Sequence, residues 1–169
     1  MTIDDISRLV MTSARCKAVR VLSSKGGMAT GLSGSSAAMM LAAIPSKVPV
    51  VVVGDGLDDA GYLYFDLCRI VGESGVAMLP SGFKRDIKYG QIDPPNQILR
   101  TETLSRLSAG DIRFVVTYPD ALAESVASRD DLSEHTLTLT KDTRADMNQV
   151  RAWLVDKGFR EVDYVFEPG

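Results

Sequence analysis

Residues 48–53, Val-Pro-Val-Val-Val-Val, constrain the fold of this chain more than any other stretch. β-Branched side chains are stiff and suit a pleated strand better than a helix. An apolar run without polar alternation is the habit of a strand covered on both faces of a parallel sheet. Gly54-Asp55-Gly56 ends the run, with Asp55 as a turn residue, and residues 57–71 place Leu63, Leu67 and Ile70 on one face of a helix. The same grammar recurs on either side. Residues 18–22 form a short β-branched run before a glycine-containing turn and an apolar helix over 37–44, stopped by Pro45. Residues 76–79 and 112–117 are further strands, with helices over 99–107 and from 121 to about 127. A first helix over 3–14 opens on Thr2-Ile3-Asp4-Asp5, which has the form of a capping box. Residues 83–98, with Pro94-Pro95 and no clear period, read as a surface excursion. Alternating strands and helices predict a parallel α/β sandwich with helices on both faces.

The pattern changes at Ser128-Arg129-Asp130-Asp131. From Leu137 the residues alternate Leu and Thr, as in a half-exposed strand. Asp142 and Thr143 cap an expected helix bearing Met147, Val150, Trp153 or Leu154, and Lys157, ended by Gly158. Residues 159–166 read as a further strand, with Val162, Tyr164 and Phe166 on one side. The expected organisation is an α/β domain over 1–127 and the beginning of a small α+β unit over 128–169. A length of 169 residues accommodates one domain, or one and part of another. With 19 basic and 22 acidic residues the chain is slightly acidic, which argues against a dedicated, sequence-independent nucleic-acid binder and favours a protein or small-molecule partner. No apolar stretch approaches the roughly 20 residues that cross a bilayer, and nothing resembles a signal peptide, so a cytoplasmic protein is expected. Cys16 and Cys68 form no C-x-x-C pair and His135 is the single histidine; reduced thiols and no zinc site are expected.

The stretch Gly31-Leu32-Ser33-Gly34-Ser35-Ser36-Ala37-Ala38 sits where a P-loop would, between the first core strand and its helix. The motif G-x-x-x-x-G-K-[S/T] works because loop N–H groups and a helix N-terminus surround phosphates, the lysine neutralises charge and the hydroxyl binds Mg²⁺. Here Gly31 keeps the first position, Ser36 replaces the second glycine, Ala37 the lysine and Ala38 the hydroxyl residue. Backbone N–H groups alone favour an anion by only about 0.3–1 kcal/mol, too little for nucleotide. No acidic residue directly ends an apolar strand in Walker-B fashion, so phosphoryl transfer lacks its main electrostatic components. No catalytic residue, bound cofactor or metal is expected in this chain.

The Gly-Leu-Ser-Gly-Ser-Ser-Ala loop, Val50 to Val53 with Asp58-Asp59-Ala60, and Arg100 with Leu104 and Leu107 precede Phe114-Val115-Val116-Thr117 and Ala121-Leu122. With Gly158-Phe159-Arg160-Glu161-Val162 and Glu167-Pro168-Gly169, these segments resemble the N-terminal region of bacterial transcription-repair coupling factors (Mfd), which is similar to the excision-repair protein UvrB. The resemblance spans most of the chain. It implies a RecA-like domain without ATPase function, carrying an inserted domain that binds UvrA, of which residues from about 128 onward are the first part. It further implies a longer protein, an ATP-dependent double-stranded DNA translocase that displaces stalled RNA polymerase. ATP, Mg²⁺, polymerase and DNA would then engage domains beyond this stretch. Family members continue past Pro-Gly with an Arg-Gly strand, so the chain is expected to stop inside the inserted domain.

Arg160 stands where that family has a basic residue after Gly-Phe or Gly-Tyr and is the candidate UvrA contact; the alternative is a solvated charge at a strand start. Lys84, Arg85 and Lys88 form a small basic cluster that reads as a solvated face. His135 lies in a polar segment without a nearby nucleophile, and Asp58 and Asp59 suit the first turn of a helix. A free-standing small α/β enzyme or nucleotide- or metabolite-binding protein, with its ligand at the C-terminal ends of the strands, is the other function class open to this sequence.

Overall fold

The structure is a computed structural model that describes residues 3–14, 16–18, 26–84, 90–141 and 144–164. The chain divides into two compact units, Met1–Glu124 and Ser125–Gly169. In the first unit, helix α1 (Ile3–Thr12) and helix α2 (Ser36–Ala42) precede strand β1 (Val50–Val53) and helix α3 (Leu57–Val71). A 3₁₀ turn (Glu73–Gly75) leads into strand β2 (Val76–Met78), followed by helix α4 (Pro94–Ala109), strand β3 (Phe114–Thr117) and the single-turn helix α5 (Pro119–Leu122). The fold is mixed α/β with a small three-stranded parallel sheet in the order β1-β3-β2.

Side chains alternate across this sheet as the pleat requires. Val50, Val52, Phe114, Val116, Val76 and Met78 face one helical layer, where Leu63 and Leu67 of α3 and Ala38 of α2 complete the larger core. Ala77, Leu79 and Val115 face the other, against Leu104 and Leu107 of α4, with Ile112 alongside. In register Val50 meets Phe114, as does Val76 from the opposite side, so β3 is the central strand and is buried along its whole length.

That placement corrects the reading of residues 48–53 as a strand covered on both faces. β1 pairs only with β3 among the described residues, and Val51 and Val53 are 54% and 50% exposed on the face that α4 covers farther along the sheet. Valine content marks a strand but does not say which strand lies in the middle. The expected strand over 18–22 falls largely outside the described residues; Cys16–Ala18 form a helical turn.

α3 forms where its period and its ends agree. Asp58 and Asp59 lie in its first turn, Arg69 in its last, and Gly72 closes it at φ 92°, donating its N–H to the Cys68 carbonyl. Gly54, between β1 and α3, is required by a close approach: a Cβ there would lie 2.6 Å from the Ala60 nitrogen. α4 begins five residues before the expected helix. Asp93 caps it and Pro94 and Pro95 occupy its first turn, where a missing N–H costs nothing, so the proline pair starts a helix and does not extend the excursion. The excursion itself is pinned by an antiparallel bridge between Phe83 and Ile92.

The second unit holds helix α6 (Arg129–Glu134) and helix α7 (Met147–Asp156). α6 was not expected, although Ser128 and Asp131 form a capping box at its start. The strands expected from Leu137 and over 159–166 are not found: residues 136–140 and 159–164 are irregular, and 165–166 lie outside the described residues. The Leu-Thr alternation has no neighbouring strand among the described residues, and an extended segment needs a ladder to be stable as a strand. Among the described residues this unit is two helices joined by irregular segments, without the strands expected of an α+β unit. α7 starts later than expected, on Asp146, whose side chain accepts from the Asn148 N–H at 2.9 Å; Asp142 and Thr143 lie outside the described residues.

Candidate functional site

The degenerate loop enters α2 through two left-handed glycines, Gly31 at φ 73° and Gly34 at φ 52°. It is closed on itself. The Ser36 hydroxyl, at the position of the missing second glycine, donates to the Ser33 carbonyl at 2.7 Å and accepts from the Ser33 N–H at 2.8 Å. A loop N–H that a P-loop would turn toward phosphate is thus already used. Ala38, in place of the Mg²⁺-binding hydroxyl, is completely buried in the larger core. Ala37, in place of the lysine, lines an open cavity of about 510 Å³ between the loop and α3. The other walls include Leu32, Leu63, Tyr62 and the carboxylates Asp59 and Asp66. Asp59 also accepts from the Asp55 N–H at 3.0 Å, closing the turn after β1.

A second constellation sits at the C-terminal ends of β2 and β3. Arg100, on α4, is buried and donates to the Pro80 carbonyl at 2.6 Å and the Ala121 carbonyl at 3.3 Å. It also pairs with Glu124 at 3.4 Å. Glu124 accepts from the Ser81 hydroxyl and from the Gly82 N–H, and the Tyr118 hydroxyl accepts from the Ser81 N–H at 2.8 Å. Thr103 and Thr117 donate to the Met78 and Leu79 carbonyls. These groups satisfy one another, so the network fastens the ends of β2, β3, α4 and α5 together and has no nucleophile aimed at open space.

Neither cysteine suits chemistry. Cys16 is buried, and burial pushes the Cys68 thiol up, away from the thiolate form that attacks. Burial and the hydrogen bond with Cys68 raise Tyr64 as well. Among the described residues no group of three His, Cys, Asp or Glu side chains is placed to hold a metal ion, and no helix is long and apolar enough to cross a membrane.

In the second unit Arg160 is exposed and borders a cavity of about 410 Å³ with Met147, Val150, Leu154 and Phe159. Arg151 and Glu161 pair at its rim. The structure therefore sets Arg160 beside apolar side chains of α7, a proximity its sequence position alone did not give. His135 is exposed at the end of α6, its Nδ1 2.8 Å from the Asp131 carbonyl. Of the basic cluster, Lys84 is described, bonded through its N–H to the Gln91 carbonyl; Arg85 and Lys88 lie outside the described residues.

In the sequence Arg100 stands out only through the resemblance, Tyr118 only as the start of a short helix, and Ser81 and Glu124 not at all. An arginine among apolar helix positions was the available signal, because a charge is buried only when it is paired. Comparison of the chain with protein-family models, with curated proteins and with solved structures gave no match.

Proposed function

We propose that this chain is a protein-interaction module of the coupling-factor type: a RecA-like unit that does not hydrolyse ATP, joined to part of a domain that recruits UvrA in transcription-coupled excision repair. The observation that carries the reading is the state of the loop before α2. It enters a helix of a parallel α/β unit on two left-handed glycines, yet Ser36 closes it internally and the position that a metal-binding hydroxyl would take in a P-loop is filled by a buried alanine. Such a unit serves as a scaffold. Arg160, exposed beside the apolar side chains of α7, supplies the mixture of arginine and apolar surface from which interface hot spots are built. DNA translocation and polymerase displacement belong, in this proposal, to other parts of a longer protein.

Titration of UvrA into the protein by calorimetry tests the reading. Saturable one-to-one binding, weakened at least tenfold in Arg160→Ala, is expected. Absence of binding overturns it, and stabilisation by a nucleotide or metabolite in its place favours the small α/β enzyme class.

A further inference from the structure

The cavity beside the degenerate loop has the wrong sign for phosphate and the right one for a cation. Among the described residues no Lys, Arg or His lines it, while Asp59 and Asp66 do. Asp66 has no hydrogen-bond or ion-pair partner among the described residues. The walls are otherwise apolar and aromatic: Leu32 from the loop, Leu63 and Tyr62 from α3. Tyr62 is 75% exposed, and Phe65, its neighbour three residues on along the helix, is 68% exposed. An aromatic face next to carboxylates attracts a guanidinium or ammonium group by its quadrupole and by charge together.

We propose that this surface docks a basic segment of a protein partner, with one Arg or Lys side chain entering between Tyr62 and Asp66 and an apolar neighbour covering Leu32 or Phe65. Charge complementarity selects this occupant: Asp58, Asp59 and Asp66 lie on or beside the patch, against one basic residue of α3, Arg69, which stands three residues beyond Asp66 and forms no ion pair with it among the described contacts. A polyphosphate meets repulsion at the same place. The proposal is independent of the UvrA binding proposed above for the other unit, so each can fail without the other.

The test is an amide chemical-shift titration of the full chain with three probes: an acetylated peptide of alternating Arg and Leu, its counterpart with Glu for Arg, and ATP with Mg²⁺. The Arg peptide is expected to shift Tyr62, Leu63 and Asp66, to bind more weakly as salt rises, and to lose about tenfold in affinity in Asp66→Asn or Tyr62→Ala. Asp66→Lys should reverse the preference toward the Glu peptide. Shifts spread over acidic positions elsewhere, equal binding of both peptides, displacement by ATP, or unchanged affinity in both variants overturns the proposal. So does self-association in the absence of peptide that Tyr62→Ala abolishes, since the occupant is then a second copy of the chain.

Discussion

Arg100 and Glu124, on α4 and just after α5, form an ion pair at 3.4 Å in which Arg100 is buried and Glu124 partly buried, both also hydrogen-bonded to backbone or hydroxyl groups around the exit of β2. Removing Glu124 leaves the buried Arg100 guanidinium without its counter-charge, and removing Arg100 leaves a carboxylate that solvent reaches only in part. Glu124→Ala and Arg100→Ala are each expected to lower stability by about 3–5 kcal/mol, measured by urea unfolding. The joint replacement Arg100→Met with Glu124→Leu should recover a good part of that loss, because a pair of apolar side chains leaves no orphaned charge. A loss below 1 kcal/mol in both single variants would show that water reaches the pair.

Gly54→Ala is expected to be destabilising although its backbone angle does not demand glycine. The added carbon would meet the Ala60 backbone at 2.6 and 2.9 Å, so α3 must shift away from β1. A cost of about 1–3 kcal/mol follows from such overpacking. The contrast is Gly61→Ala within α3, where no atom lies within 4 Å of the new carbon and a better helix former should stabilise by about 0.5–1 kcal/mol.

Nucleotide should leave the protein unaffected. A ligand present at about 100 times its dissociation constant adds about 2.7 kcal/mol to stability, easily read as a rise in Tm. No rise is expected with millimolar ATP and Mg²⁺, and no hydrolysis above background. Rebuilding the loop piecemeal should fail as well: Ala38→Thr forces a larger, polar side chain into a fully buried site, at a cost of about 1–3 kcal/mol before any ligand is present.

The capping box of α6 makes one carboxyl pH-sensitive. Hydrogen bonds from the Ser128 hydroxyl and N–H hold Asp131 below its ordinary value of 3.8. A depressed folded-state value means that the cap's contribution is complete above the ordinary value and is lost as pH falls through the folded one. Carboxyl NMR titration should show Asp131 ionising below its ordinary value, and Ser128→Ala should return Asp131 to the ordinary carboxylate range. An unchanged titration in that variant would remove Ser128 as the cause.

Periodicity and punctuation made much of the first unit readable. Residues 57–71 carry an unambiguous apolar face between Gly56 and Gly72, and the observed α3 has those bounds. The valine run disclosed a strand, but its position at the sheet's described edge depends on pairing with residues 114–117, a relation no local pattern contains. In the second unit the Leu-Thr alternation had the right period with no ladder to join. The loop before α2 was legible because its defects are side-chain identities. The carboxylates facing it were not: Asp59 and Asp66 come from a different element, and only the packing of α2 against α3 brings them to the same cavity.

Because β3 lies between β1 and β2, both earlier strands have their hydrogen-bonding partner in the last of the three strands to be made. During synthesis Val50 must wait for Phe114, which at about 5–20 residues per second is an interval of roughly 3–13 s. For that time a nascent chain carries four consecutive valines without the strand they pair with in the described sheet. Codon usage between residues 54 and 113, which sets the length of the wait, therefore bears on the yield of folded protein without altering a single amino acid.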